Sequence, residues 1–267
     1  MKMYMSVFRI RFINSLQYRA VALGAIITRF GWGLMEVLAY SALYRTGSAA
    51  FPMEFSQTVS YLWMQQTLIV LFSVVFSDGE IYTAIESGSI AYELVRPMDL
   101  YGRWFCQSAA NRLAFTILNC LPALLVAFIM PEPYRMSLPF AVGQFLLFLL
   151  STVLALCVVV AFAMLMYISL FYILSQRGIR IIVTAFTTFL SGGVIPLPFF
   201  PAPVLAVVQL LPFAAMQNMP LRIYSGNIAG LDALKGIVFQ LFWLAVLFLI
   251  GKLTMGRALK KVIVQGG

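Results

Sequence analysis

The 267-residue sequence contains no histidine, three cysteines and only 10% charged residues. Each shortage excludes something. Without histidine the commonest metal ligand and acid–base side chain is missing. Cys106, Cys120 and Cys157 are isolated, with no CxxC pair among them, so a zinc site lacks its ligands. Cys120 and Cys157 lie in apolar runs and read as small buried hydrophobes rather than disulfide partners. There is no glycine-rich phosphate loop ending in Lys-Ser/Thr, so no cofactor, and no nucleotide, is expected on this chain. A soluble domain carries about a quarter charged residues. This one is 62% hydrophobic, which marks an integral membrane protein. The net charge of +9 is then a matter of topology rather than a nucleic-acid footprint.

What the sequence has in abundance is long apolar runs. Six stretches, at 21–44, 60–77, 112–130, 139–166, 180–197 and 232–253, approach or exceed the roughly 20 helical residues that cross a hydrocarbon layer. The expected fold class is an all-α membrane protein of six transmembrane helices, in one domain covering 1–267. Thirteen Lys and Arg fall on one side of these spans, four (Arg45, Arg135, Arg222 and Lys235) on the other, and Arg29 inside the first. The positive-inside bias therefore puts both termini in the cytoplasm.

Ahead of the first span, Lys2, Arg9, Arg11 and Arg19 are spread too widely for a signal-peptide n-region. Met1, Met5, Phe8, Phe12 and Leu16 recur at three- and four-residue intervals. That spacing predicts an amphipathic helix over 1–20, lying in the membrane interface beside lipid headgroups.

The segment 78–111 is the one sizeable cytoplasmic loop, and five of the nine acids (Asp78, Glu80, Glu86, Glu93 and Asp99) lie at its start. Asp78 is placed to cap a short helix with Ile81, Ala84 and Ile85 on one face, and Gly88 to end it in a left-handed conformation. Pro97 forbids a continuous helix and pushes Arg96 toward extended backbone. Asp99 is then the cap of a long shaft entering the membrane. A solvated loop whose acids balance its arginines is one reading of this segment; a docking surface for a soluble partner is the other.

On the opposite side, 191–227 holds six of the twelve prolines yet remains apolar. Interrupted helices dipping into the outer leaflet are expected, because backbone polar groups at membrane depth need internal partners.

Two local patterns, taken with the span count and the leading helix, resemble the permease subunits of type-2 ABC exporters, in a bacterial branch whose ATPase is separately encoded. The first is I-x-S-G-x-I-x-x-x-L-x-R-P, here Ile85, Ser87, Gly88, Ile90, Leu94, Arg96 and Pro97. The second is S-G-x-x-x-P-x-x-x-x-P, here Ser191, Gly192, Pro196 and Pro201. The resemblance implies a pair of permeases, identical or related, over two ABC ATPase subunits that hold ATP and Mg, in the plasma membrane of a bacterium. It also implies that this chain is no enzyme itself. Coupling to the ATPase would rest on Asp78, Glu80, Ile85, Glu86, Gly88, Glu93, Arg96 and Pro97. Gly192, Gly193, Pro196, Phe199 and Phe200 would belong to an extracellular gate. Glu93 departs from the more uniformly apolar run that the branch often has before Arg-Pro.

Arg29 and Glu36 are charges inside the first span, seven residues apart on one helical face. Such charges are costly and normally face protein or water. Lining a substrate path or pairing across a dimer is one reading; snorkelling or bonding to a neighbouring helix is the other. An ion-gradient-driven transporter or channel is the alternative function, but few other ionisable groups lie within the spans. A membrane-embedded enzyme finds no catalytic cluster here.

Overall fold

A computed structural model describes residues 2–16, 19–47, 51–74, 79–95, 97–139, 141–173 and 176–260. Asp78 and Arg96, and with them the expected cap and extended kink, lie outside the described residues.

Every regular element among them is helical: α1 (Lys2–Ser15), α2 (Arg19–Gly47), α3 (Phe55–Phe72), α4 (Gly79–Glu86), α5 (Ile90–Leu94), α6 (Leu100–Ile129), α7 (Val142–Ser169), α8 (Gln176–Leu190), α9 (Ala202–Val208), α10 (Asn218–Tyr224) and α11 (Gly230–Leu259). Two 3-10 turns, Leu197–Phe199 and Pro212–Ala215, join the pieces between α8 and α11. Helices α6, α7 and α11 are each long and apolar enough to cross a membrane. At 28 to 30 residues, they extend about 42–45 Å. The other expected spans coincide with α2, which carries Arg29 and Glu36, with α3 of 18 residues, and with α8 of only 15.

Helix α3 is the centre of the bundle, with 13 of its 18 residues buried. It begins five residues before the expected span. Gln57 Oε1 accepts from the Glu54 backbone N–H at 3.2 Å, which satisfies a donor that would otherwise be left over at the helix start. The polar stretch Ser56–Gln57–Thr58 hid this start from a hydropathy reading. Its far end is held from α6: Arg112 is fully buried and its Nη1 donates to the Ser73 carbonyl. Arg112, counted among the cytoplasmic-side charges at the start of the third expected span, is thus a structural tie at a helix C-terminus, where a cation is favoured.

Helix α1 packs along the first turns of α6. Phe8 and Phe12 face the protein, Ser15 Oγ donates to Asn111 Oδ1 at 3.0 Å, and Arg11 meets Glu80 of α4 at 2.5 Å. Met5, Ile10 and Ile13 are exposed. Of the expected stripe, Phe8 packs against the protein while Met5 is exposed, and the apolar Ile10 and Ile13 outside that stripe are exposed as well, because α6 supplies a packing surface for only one side of the helix. Helices α7 and α11 pack extensively, with Ser151 and Gln240 hydrogen-bonded inside that contact at 2.8 Å.

The proline-rich segment is indeed a chain of short helical pieces. Prolines occupy the first turns of the Leu197–Phe199 element, of α9 and of the Pro212–Ala215 element, where the missing N–H costs nothing. Helix α10 folds back into the bundle against α7 and α3, burying Asn218, Pro220, Leu221, Ile223 and Tyr224. Helix α9 stays at the surface, exposing Val204 and Val207.

Candidate functional site

The bend between α3 and α6 is built from short pieces that grip the long helices. Helix α4 buries Ile81, Tyr82 and Ala84, and Ile85 packs at the edge of the same core. The ring of Tyr82 meets Tyr167, near the C-terminal end of α7, edge-on at 5.1 Å. Ser87 Oγ donates to the Thr83 carbonyl at 2.7 Å. Gly88 follows at φ +71° with open space where a Cβ would be. Only the left-handed backbone requires glycine there.

Helix α5 is pinned by Glu93. Its Oε1 pairs with Arg103 Nη2 at 3.1 Å and its Oε2 accepts from Trp104 Nε1 at 2.7 Å. Trp104 is fully buried, stacked at 6.4 Å on Phe171 and edge-on to Tyr167. Asp99 then caps α6 as expected, accepting from the Gly102 N–H at 2.9 Å. Glu80 is engaged within the chain by Arg11, Glu93 by Arg103 and Trp104, and Asp99 by the helix start. Glu93 is not displayed outward. The surface of the bend shows Glu86, Pro97 and an apolar group that charge-based reading missed: Tyr92 at 81% exposure, Leu94 and Val95 at 84%.

The second region is the turn after α8. Gly192 has φ +84°, and the Gly193 N–H donates to the Thr188 carbonyl at 2.8 Å. A Cβ on Gly193 would lie 2.8 Å from that same oxygen, and one on Gly192 would lie 3.0 Å from the Tyr61 hydroxyl. Two glutamines hold the turn. Gln65 Nε2 donates to the Gly193 carbonyl at 2.9 Å, and Gln217 Nε2 donates to the Gly192 carbonyl at 3.1 Å. Pro196 is buried. Phe199 meets Tyr40 at 5.1 Å and Phe200 meets Phe189 at 5.2 Å. The five residues named from sequence therefore gather at one place, clasped by α3 and by the residue preceding α10. At the end of α10, burial pushes the Tyr224 phenol up to about 12, so it stays a neutral donor to the Ser137 carbonyl at 3.1 Å.

Arg29 and Glu36 do not meet. Gln66 Nε2 donates to Glu36 Oε2 at 3.2 Å, and the same Gln66 lines a small void with Arg29, Phe30 and Trp63. Glutamines 65, 66 and 217 were the overlooked signal, since uncharged amides inside an apolar bundle still need partners. Among the described residues no group of three His, Cys, Asp or Glu side chains is arranged to hold a metal ion.

A family model described as "ABC-2 family transporter protein" matches residues 30–266 of the chain. No curated protein matches it.

Proposed function

Because the chain belongs to the ABC-2 transporter family, whose members are permeases of ABC transporters, we propose that it moves its substrate outward on energy delivered by separate ATPase subunits. Two copies of the permease, or this chain and a related one, form the conduit, and an ATPase docks beneath each. The six-span topology with both termini cytoplasmic supplies the orientation: α2, α3 and α8 cross the bacterial plasma membrane along with α6, α7 and α11, and α1 lies at the inner interface.

The observation that carries this reading is the construction of the bend. Work done on a partner-facing loop reaches the membrane only if that loop is fixed to the spans. Tyr82 against Tyr167 fixes α4 to α7, and Glu93 with Arg103 and Trp104 fixes α5 to α6. The exposed Tyr92, Leu94 and Val95 supply the apolar contact, since aromatic anchors dominate such interfaces. Glu86 sets register at the rim. At the other end, the Gly192–Phe200 turn is the gate, held shut by Gln65 and Gln217.

Purification from the native membrane tests this. An ABC-type ATPase is expected to accompany the permease in equal number. A Val95→Asp substitution is expected to weaken that association by about tenfold or more, with the permease still inserted. Transport in vesicles driven by a proton or sodium gradient alone, with no ATPase present, would refute the proposal.

A further inference from the structure

We infer that Gln240 is a positioning residue for the turn after α8: by holding the Ala215 carbonyl it ties Gln217, and through it Gly192, to the packed pair α7 and α11. Gln240 and Ser151 are both fully buried. Gln240 Oε1 accepts from Ser151 Oγ at 2.8 Å. Its Nε2 donates twice, to the Ser151 carbonyl at 3.1 Å and to the Ala215 carbonyl at 2.9 Å.

Those three bonds explain the residue type. One terminal group has to accept from a hydroxyl and donate to two carbonyls, and a carboxamide does both without charge. Leucine fills similar space and makes none of them. Inside an apolar contact between helices, an amide bonded on both sides fixes their relative setting.

Ala215 closes the Pro212–Ala215 element, which packs against α11. Only Met216, itself fully buried, separates it from Gln217. The two anchored residues are therefore within about 7 Å of one another along the chain. Gln217 Nε2 donates to the Gly192 carbonyl at 3.1 Å, so slack at Ala215 becomes slack at Gly192. Gln65 grips the neighbouring Gly193 carbonyl from α3. The turn is thus held by two routes, one from α3 and one from α7 and α11. Helix α7 carries the second route to the bend: Ser151 and Tyr167, the partner of Tyr82, lie on one helix about 24 Å apart.

That the turn is the gate rests on the reading proposed above; the tie itself does not. Hydrogen exchange of the full chain in nanodiscs, with neither ATPase nor substrate, reads the tie at the Gly192 and Gly193 amides, which bond the Phe189 and Thr188 carbonyls. Gln240→Leu and Gln217→Leu are each expected to speed exchange there about fivefold or more. The double variant is expected to go no further than the faster single one, because both cut the same route. Met255→Ala, which opens a cavity toward the other end of α11, is expected to leave the turn at the wild-type rate. If Gln240→Leu does not reach the membrane, Gln240→Asn, whose amide falls one methylene short of Ala215, takes its place. Unchanged exchange at the turn in the Gln240 variant overturns the inference. So do effects that multiply in the double variant, or acceleration by Met255→Ala as large as that by Gln240→Leu. No transport is measured, so its failure leaves the permease reading standing.

Discussion

Glu93 illustrates how a single side chain changes meaning once its neighbours are known. In the sequence it is one acid in a cluster that reads as either a solvated loop or a docking surface; in the fold both carboxylate oxygens are engaged, by Arg103 and by Trp104. Arg103 is only 6% exposed, and a buried charge deprived of its partner costs about 3–5 kcal/mol. Glu93→Lys is therefore expected to lower the thermal unfolding midpoint of the purified permease sharply. Glu86→Lys, at an exposed position, is expected to lower that midpoint less than Glu93→Lys does and to weaken partner binding. Two glycines, one in the turn after α8 and one in α2, make a similar contrast. Gly193→Ala forces a methyl against the Thr188 carbonyl at 2.8 Å, whereas Gly31 has nothing within 4 Å of its Cβ position. The first is expected to destabilise by about 1–3 kcal/mol, and the second, by the same thermal assay, by no more than the scatter of repeated runs.

At the scale of elements, the boundaries that depend on local backbone chemistry were readable in advance. Asp99 caps α6 and Gly88 follows the end of α4, each because one residue type suits one backbone requirement. Boundaries that depend on tertiary partners were not. Helix α3 starts at Phe55 because polar residues there find buried partners, and hydropathy alone scores them as loop. Helix α1 divides its apolar residues between α6 and the exterior, which a single-helix pattern does not reveal. The same tertiary contacts fix α4 to α7 and α5 to α6, which on the proposed function makes them a crank rather than a tether. Removing the Tyr82 ring while keeping the exposed face, as in Tyr82→Ala, is expected to spare ATPase association. It is expected to uncouple the two ends: hydrolysis continues, substrate movement falls several-fold, and hydrogen exchange speeds up in α4. Unchanged transport in this variant would remove Tyr82 from the path of force.

For the whole molecule, sequence and fold agree on a helical membrane domain of the ABC-2 family, matched over residues 30–266. The site was half legible. Gly192, Gly193, Pro196, Phe199 and Phe200 do come together, and so do the elements of the bend. The glutamines that clasp the turn, and the apolar face of α5, went unseen because attention followed charge in a chain where charge is rare. In such a chain the few ionic groups serve mainly to fasten the structure, and Arg112 and Glu93 both do so. The exposed Tyr92, Leu94 and Val95 then carry the contact surface proposed above. The most direct test replaces Tyr92 with a photo-crosslinking amino acid in cells and identifies what it captures on illumination. The account predicts a covalent adduct with an ATP-binding subunit, lost when Val95→Asp is added. Capture of lipid alone, or labelling of Tyr92→Cys by an impermeant thiol reagent added outside intact cells, would contradict it.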